Sequence, residues 1–180
     1  MKIGIAGAGG IGSNVAMILA RSCAHALRLV DFDQVEAANL NRQFYFSDQI
    51  GELKVAMLAE NLRRIRPGIA IETVVARLDA GNCTAIFADC QLVVEALDLA
   101  EDKKMLLEAL ANDGRTIVSA CGIAGAELTG IRVRQVGNCH IVGDFLSDCT
   151  RQPLYAHKVL AVACRMTEII LHPGGVHARP

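Results

Sequence analysis

The sequence predicts an α/β fold of the Rossmann type, with a mostly parallel sheet, helices on both faces and a C-terminal antiparallel hairpin. Short apolar runs alternate with helix-periodic segments over the first 120 residues, which is typical of a parallel sheet. A glycine-rich segment, Gly7-Ala-Gly-Gly-Ile-Gly12, joins the first apolar run to the first such segment. Aromatic residues make up only 4% of the chain, so the core must consist of small aliphatic side chains, as in sheets buried on both faces.

The predicted elements follow one another in strict alternation. Strands are expected at residues 2–6, 26–30, 69–75, 92–96 and 116–120, where the chain has short apolar runs. Helices are expected at residues 11–22, 51–66, 79–88 and 100–111, where apolar residues mostly recur three or four positions apart. Pro67-Gly68 is expected to end the second helix, and Asp79 to cap the short third one.

The pattern changes after residue 120. Residues 131–136 alternate between apolar and polar side chains, Gly137-Asn138 is typical of a tight turn, and residues 139–142 form a returning strand. A final helix is expected at residues 154–171, and residues 172–180 are expected to be a loose tail. The sequence contains no repeat or linker, so residues 1–180 are predicted to form a single domain.

Composition and charge exclude several classes of protein. The net charge is −1, which argues against nucleic acid as a partner. No apolar run reaches the roughly 18 residues of a membrane span, and no signal peptide is recognisable, so a cytoplasmic location is expected. The seven cysteines include no Cys-x-x-Cys pair, so reduced, mostly buried thiols and no zinc are expected.

A nucleotide site is predicted at the glycine loop. Gly7, Gly9, Gly10 and Gly12 allow the backbone to take positive φ and to bring N–H groups close to a phosphate. Asp31 follows the second predicted strand, where dinucleotide-binding folds place the acid that binds ribose hydroxyls. NAD or FAD is the first interpretation of this pattern, and glycines that serve only tight packing are the alternative. The chain is short for a separate substrate domain, which argues against a dehydrogenase.

The segments that follow Asp31 resemble a known family. In order along the chain they are Asp31-Phe-Asp, Asn39-Leu-Asn-Arg-Gln43, Gly51-x-x-Lys54 and Glu95-Ala-Leu-Asp98. With the glycine loop, they resemble the ThiF/MoeB family, which is related to the ubiquitin-activating enzymes, over about residues 1–125. The later segment Gly143-Asp-Phe-x-Ser-Asp148 and the final helix are similar to the short ThiF-like subgroup.

The resemblance implies ATP-dependent adenylylation of the C-terminal carboxylate of a ubiquitin-like sulfur-carrier protein, most specifically ThiS in thiamine biosynthesis. It implies ATP and Mg²⁺ as cofactors, a homodimer, and docking of the carrier on the hairpin and the final helix. Positions that match Asp31, Asn39, Arg42, Lys54 and Asp98 line the ATP site in the family.

The chemistry assigns a role to each of these residues. A carboxylate is already ionised near neutral pH, so its attack on the α-phosphate needs positioning and cations rather than a general base. Arg42 is expected to bind the phosphates as a multidentate fork, and Lys54 to add a cation one turn into a helix that begins near Gly51. Asp98 is expected to hold Mg²⁺, and Asn39 to bind a phosphate or ribose oxygen.

Simpler interpretations of the same residues stay open. Arg42 and Lys54 are each compatible with surface charges, Asp98 with a cap for the following helix, and Asn41 and Gln43 with holding the turn. The function has alternatives too: a MoaD-like carrier for molybdopterin synthesis, a tRNA-modifying relative that activates a small carboxylate, or a non-enzymatic module that binds NAD or another nucleotide.

The sequence also departs from the family pattern. No counterpart is expected for the extra N-terminal helices, which in longer members deliver an arginine to the partner subunit's ATP site. Lys103 stands where many relatives have arginine, and is interpreted as a surface residue or a phosphate ligand. Cys149 and Cys121 are candidates for covalent or sulfur chemistry, and their alternative role is that of small apolar fillers.

Overall fold

A computed structural model of the protein describes residues 1–22, 26–111 and 113–172. Within these residues, seven strands form one sheet in the order β3-β2-β1-β4-β5-β7-β6. The strands are β1 (Lys2–Ala6), β2 (Ala26–Val30), β3 (Ile71–Val74), β4 (Leu92–Glu95), β5 (Thr116–Ala120), β6 (Arg132–Val136) and β7 (Cys139–Gly143). All neighbouring pairs are parallel except β6 and β7, which pair in the antiparallel sense. The predicted Rossmann-like sheet with its C-terminal hairpin is confirmed.

Helices cover both faces of the sheet, as expected. They are α1 (Gly10–Ser22), α2 (Lys54–Ile65), α3 (Cys83–Ile86), α4 (Ala100–Leu110) and α5 (Ala156–Leu171). One apolar cluster joins α1, α2 and α5 to the sheet, and a second cluster joins α3 and α4 to the opposite face. No helix in the described part of the chain combines the length and apolar character that a membrane crossing requires.

Several element boundaries differ from those expected. The helix expected over residues 51–66 begins only at Lys54, because Gly51 has a φ of +92° and Leu53 forms an antiparallel bridge with Gln34. The helix expected at residues 79–88 is a single turn, Cys83–Ile86. The last helix begins at Ala156, after Pro153, rather than at residue 154. The expected tail, apart from His172, lies outside the described residues.

The strand order places a crevice at the centre of the carboxyl edge. Strands β2 and β3 lie on one side of β1 in the sheet, and β4, β5 and β7 lie on its other side. In open α/β sheets, the loops separate at such a switch point and leave room for a ligand. Loops after β1, β2 and β4 therefore meet between β1 and β4, and the glycine loop is one of them.

Candidate functional site

A cavity of about 290 Å³ lies at this crevice. Its size is at the lower end of the roughly 300–1,000 Å³ that is typical of small-molecule sites. Seven of the nine residues predicted to bind the nucleotide line it, although they come from five separate segments of the chain. These residues are Gly7, Gly9, Gly10, Asp31, Arg42, Lys54 and Asp98. Gly12 and Asn39, the two other candidates, are not among the lining residues.

The glycine loop brings the backbone close to the cavity because it has no side chains there. Gly7 has a φ of +92°, and a Cβ atom at this position would lie 2.6 Å from the Ala96 carbonyl oxygen. A Cβ atom on Gly12 would lie 1.8 Å from the Gly7 carbonyl oxygen. Gly12 therefore serves close packing between the loop and α1, whereas Gly9 and Gly10 face the cavity at the positive end of the helix.

Asp31 is held in place by the loops that it joins. Its Oδ2 atom accepts a hydrogen bond from the Ala8 N–H at 2.6 Å, and its Oδ1 atom accepts one from the Asp33 N–H at 2.8 Å. Burial raises the pKa of Asp31 above its ordinary value, against the lowering effect of these two hydrogen bonds. Each carboxylate oxygen keeps a second lone pair, so the group can still accept hydrogen bonds from ribose hydroxyls.

Lys54 is the first residue of α2 rather than a residue one turn inside it. Its side chain is 9% exposed, and its Nζ atom lies 2.7 Å from Oδ2 of Asp33. The backbone N–H of Lys54 donates to the Asp33 carbonyl oxygen at 2.9 Å, so Asp33 fixes both ends of the residue. The hydroxyl of Tyr45 donates to the Ala8 carbonyl oxygen at 2.7 Å and lies 3.4 Å from the Lys54 carbonyl oxygen. Tyr45 thereby connects the glycine loop to α2.

Arg42 lines the cavity with a guanidinium that has only neutral partners. Its Nη1 atom donates to the Ala38 carbonyl oxygen at 2.9 Å and to Oδ1 of Asn41 at 2.8 Å. No carboxylate of the described residues forms a salt bridge with it. The side chain of Asn14 donates to the Arg42 carbonyl oxygen at 2.8 Å and so ties this loop to α1. The positive charge is therefore oriented but not neutralised.

Asn39 is directed into its own loop instead of the cavity. Its Oδ1 atom accepts a hydrogen bond from the Glu36 N–H at 3.0 Å, and its carbonyl oxygen accepts the N–H groups of Arg42 and Gln43. Asn39 is thus the residue that shapes the turn carrying Arg42. A direct contact between Asn39 and ATP stays a prediction, with no support from its position here.

Asp98 is exposed and lines the cavity beyond the carboxyl end of β4. It does not cap α4, because the N-cap position is occupied by Leu99 and carries no side-chain cap bond. The described residues contain no group of three potential metal-ligating side chains. Asp98 can therefore contribute one carboxylate to a metal ion whose other ligands come from elsewhere.

Lys103 is a structural partner rather than a phosphate ligand. Its Nζ atom donates to both carboxylate oxygens of Glu95, at 2.9 and 2.8 Å. Glu95 has a fully buried side chain, which also accepts the Ser119 hydroxyl at 2.5 Å and the Leu97 N–H at 2.8 Å. This network fixes the loop between β4 and α4, which carries Asp98.

The structure adds cavity residues that the sequence did not reveal. Phe32 and Arg77 both line the cavity, and the Arg77 guanidinium carbon lies 5.9 Å from the centre of the Phe32 ring. Asp102 lies 3.8 Å from Arg77 and lines the same cavity. Phe32 follows β2, Arg77 follows β3, and Asp102 lies in the first turn of α4. The general rule that ligands bind beyond the carboxyl ends of strands is the signal that could have identified Phe32 and Arg77.

The candidate cysteines lie outside this cavity. Cys121 and Cys149 are exposed, and neither is among the lining residues. Among the described cysteines, Cys83, Cys90 and Cys139 are buried, whereas Cys164 is exposed on α5. Burial raises the pKa of Cys139 to about 11, which suits an inert core thiol. The expectation of mostly buried thiols therefore holds for only half of the described cysteines, and a covalent role for either candidate stays a prediction.

A model of the ThiF family matches residues 1–170 of the chain. The adenylyltransferase and sulfurtransferase UBA4 of Candida glabrata is 30% identical over 141 residues, which cover 77% of this chain and 33% of that protein. UBA4 of Saccharomyces cerevisiae is 29% identical over 141 residues, which cover 77% of this chain and 32% of UBA4. The chain therefore spans about a third of the length of these relatives.

Solved structures show the same fold. The E. coli tRNA N6-threonylcarbamoyladenosine dehydratase TcdA, in complex with AMP, matches with a TM-score of 0.85 at 19% identity, over 96% of this chain and 86% of that chain. E. coli MccB, solved with MccA, matches with a TM-score of 0.74 at 19% identity, over 99% of this chain and 57% of that chain. At this level of identity, both similarities show the fold alone.

Proposed function

Because the chain belongs to the ThiF family, we propose that it transfers the adenylyl group of ATP to the C-terminal carboxylate of a ubiquitin-like sulfur-carrier protein. The single observation that carries the proposal is the composition of the cavity. Asp31, an acid suited to bind ribose hydroxyls, lines the same cavity as the glycine loop and two cations, Arg42 and Lys54. A dinucleotide site needs the acid and the loop, but it does not need both cations.

The reaction is a displacement at phosphorus. The carrier carboxylate attacks the α-phosphorus of ATP, a new P–O bond forms, and the bond to the leaving pyrophosphate breaks with its electron pair. The carboxylate is ionised near neutral pH, so no proton needs to be removed from it. Negative charge collects on the phosphates, and cations that are already in place lower its energy.

Each residue has a part in that step. Asp31 binds the ribose and thereby fixes the nucleotide relative to the glycine loop. Arg42, which has no carboxylate partner among the described residues, is available for the phosphates. Lys54 exchanges or shares its contact with Asp33 when the phosphates arrive. Both cations act by position and charge, which suits a reaction whose nucleophile needs no activation.

Asp98 suits a Mg²⁺ ion that is bound mainly by the nucleotide. Mg²⁺ in nucleotide sites is commonly held by one or two carboxylates together with phosphate oxygens and water. Asp98 offers one exposed carboxylate at the cavity wall, and Asp102 offers a second in the adjacent turn of α4. The ion would neutralise phosphate charge. These two side chains would hold it at the cavity mouth.

We assign ThiS of thiamine biosynthesis as the first candidate carrier, and a MoaD-like carrier as the second. The protein would act as a homodimer, in the cytoplasm, with no nucleic acid and no membrane as partner. The relatives named UBA4 are adenylyltransferases and sulfurtransferases, which supports activation of a carrier. The similarity to TcdA raises a tRNA-linked carboxylate as the competing substrate, and the net charge of −1 argues against it.

The test is exchange of labelled pyrophosphate into ATP, with ThiS, a MoaD-type carrier and a tRNA that carries a carboxylate-bearing modified nucleoside assayed in parallel. We expect exchange that depends on ThiS, on Mg²⁺ and on Arg42. The matched control is Arg64→Ala, since Arg64 is an exposed arginine on α2 that stacks on Phe46 and does not line the cavity. Exchange with MoaD alone or with tRNA alone would replace the substrate. Tight NAD binding with no exchange would favour a non-enzymatic module.

A further inference from the structure

The amino end of α1, at the wall of the nucleotide cavity, is open to an anion. The first hydrogen bond of the helix runs from the Ser13 N–H to the Gly9 carbonyl oxygen, so the N–H groups of residues 10–12 have no acceptor within the helix. The first turn of α1 contains no acidic residue, whereas that of α4 contains Glu101 and Asp102. A helix end of this kind attracts phosphate groups, but it does not select one of them.

A buried amide without a partner lies against this helix end. Gln43 is only 9% exposed, its Oε1 atom is enclosed, and no hydrogen bond among the described residues involves either side-chain atom of the amide. Gln43 lines the cavity, and a Cβ atom on Gly9 would lie 3.8 Å from its Nε2 atom. A buried amide that lacks partners lowers the stability of the folded protein. Gln43 is therefore better suited to binding a ligand than to supporting the fold.

Two other buried amides in the neighbourhood are committed to the structure. Gln49 and Asn61 exchange hydrogen bonds of 2.8 and 3.0 Å through their side chains. The Oε1 atom of Gln49 also accepts the Phe46 N–H, and the Nδ2 atom of Asn61 also donates to the Phe44 carbonyl oxygen. The same loop thus satisfies these two amides and leaves that of Gln43 available.

Hydrogen bonds on both sides of Gln43 fix its position relative to α1. The Phe44 N–H donates to Oγ of Ser13 at 3.0 Å, and the side chain of Asn14 donates to the Arg42 carbonyl oxygen at 2.8 Å. Ser13 and Asn14 are buried residues near the start of α1. A donor that is held in place before the ligand arrives needs no reorganisation during the reaction, which favours stabilisation of developing charge.

The position of Asp31 indicates which phosphate lies closest to this amide. The Oδ2 atom of Asp31 accepts the Ala8 N–H, so a ribose that binds to Asp31 adjoins the glycine loop. The α-phosphate is attached directly to the ribose and is therefore the phosphate nearest to the loop and to the amino end of α1. Its phosphorus is also the atom that the carboxylate attacks.

We propose that Nε2 of Gln43 donates a hydrogen bond to a non-bridging oxygen of the α-phosphate, beside the N–H groups at the amino end of α1. This inference rests on the proposed function only in so far as ATP occupies the cavity. It adds a neutral donor at the reacting phosphorus to the two cations already assigned. Attack on this phosphorus concentrates negative charge on the non-bridging oxygens, which a donor already in place stabilises.

The first test is Gln43→Met, which approximately keeps the volume of the side chain and removes both polar atoms. The unfolding temperature of the nucleotide-free protein is expected to stay unchanged or to rise, whereas Gln49→Met is expected to lower it. The kcat of exchange is expected to fall about ten-fold in Gln43→Met, as for loss of a hydrogen bond to a charged group. Gln135→Met, at an exposed position on β6, is the control that leaves both quantities unchanged.

The second test identifies the oxygen by binding alone, without a carrier. The two diastereomers of ATPαS place sulfur, a weaker acceptor than oxygen, at one or the other non-bridging position of the α-phosphate. Calorimetry with and without Mg²⁺ separates the preference of the protein from that of the metal. Wild-type protein is expected to bind one diastereomer about ten-fold more weakly than the other, and Gln43→Met to reduce this ratio to about two-fold.

The outcomes separate this inference from the proposed function. Wild-type protein that shows no exchange with any carrier overturns the proposed function, while the diastereomer ratio still tests Gln43. A ratio that Gln43→Met leaves unchanged overturns the inference alone. A loss of unfolding temperature as large as that of Gln49→Met assigns Gln43 to the fold and overturns it as well. A raised Michaelis constant for the carrier with an unchanged ratio assigns the amide to the carrier carboxylate, which also contradicts the inference.

Discussion

Charged side chains near the two edges of the sheet are used differently. Near the amino edge, Lys2 and Arg28 each pair with both Glu72 and Asp89, and Lys2 lies 2.5 and 2.6 Å from them. At the carboxyl edge, the partners of the Arg42 guanidinium among the described residues are all neutral. The four charged side chains near the amino edge neutralise one another, whereas the guanidinium of Arg42 at the cavity wall keeps its charge.

The pKa of Asp31 at the carboxyl edge shifts in the opposite direction from those of Glu72 and Asp89 near the amino edge. Hydrogen bonds from Lys2 and Arg28 lower the pKa of Glu72, and those from the same two side chains lower that of Asp89 to about 2. Burial raises the pKa of Asp31 at the carboxyl edge. A charged side chain that is paired with an opposite charge inside the protein contributes to the fold. A charged side chain that lines a cavity and is partly removed from water is available to bind a ligand. The predictions below test that division.

The largest effect is expected from Arg42→Ala. Loss of one fixed donor to a developing negative charge typically costs 10²–10³ in rate, so carrier-dependent exchange is expected to fall about 100-fold or more. The measurement is the rate of pyrophosphate exchange at saturating ATP. At the other edge, Arg28→Ala is expected to leave exchange unchanged and to lower the thermal unfolding temperature. Equal losses of activity in the two variants would show that the edges do not differ in function.

The next effect concerns a buried pair rather than an open charge. Lys103→Met leaves the fully buried Glu95 carboxylate without its cation, and breaking such a pair costs about 3 kcal/mol. Urea unfolding measures this difference. The control is Lys104→Met on the same helix, since Lys104 is 75% exposed and its contact with Glu108 contributes less than about 1 kcal/mol. A stable Lys103→Met variant with lost ATP binding would restore Lys103 as a phosphate ligand.

A smaller effect is expected from Asp33→Asn, which releases the ammonium of Lys54. We expect kcat of exchange to fall about ten-fold, because a cation that is not held in place stabilises the transition state less well. The Michaelis constant for ATP should change less. The variant removes the negative charge of Asp33, which repels the phosphates, and this gain offsets the weaker contact between Lys54 and the phosphates. Asp48→Asn, an exposed acid in a neighbouring turn, is the control. Unchanged kcat would remove Asp33 from the site.

The smallest effect is a dependence on pH. Ionised Asp31 accepts hydrogen bonds from ribose hydroxyls at both oxygens, whereas protonation turns one oxygen into a donor and weakens this contact. The raised pKa of Asp31 moves the loss of the ionised form to a higher pH than for an ordinary aspartate. The dissociation constant for ATP should therefore rise several-fold between pH 7 and pH 5, with Asp31→Asn as the variant that lacks the Asp31 component. Glu72 and Asp89 stay ionised and paired over this range because their pKa values are lowered in the folded protein. The stability that such acids contribute is lost only as the pH falls below their pKa values in the unfolded chain, which are near 4. If the unfolding temperature fell over the same pH range as the affinity for ATP, the ion pairs at the amino edge and the ATP site would not respond separately to pH, which would contradict the prediction.

The alternation of strands and helices along the chain and the position of the nucleotide loop could be predicted because local patterns determine them. Gly7 and Asp31 lie next to strands, so their positions in space follow from the alternation of strands and helices. The start of α2 could not be predicted, because it depends on a bridge between Gln34 and Leu53, which are distant in sequence. The role of Lys103 was missed for a similar reason, since its partner Glu95 lies on another element.

The most direct test of the account is intact-mass analysis of the carrier after incubation with the protein, ATP and Mg²⁺. A ThiS-type carrier is expected to gain the mass of one adenylyl group, which is that of AMP less one water. That gain should be lost when the terminal carboxylate is converted to an amide, and lost again in the Arg42→Ala variant. A protein that binds ATP at this cavity and adenylylates no carrier would contradict it.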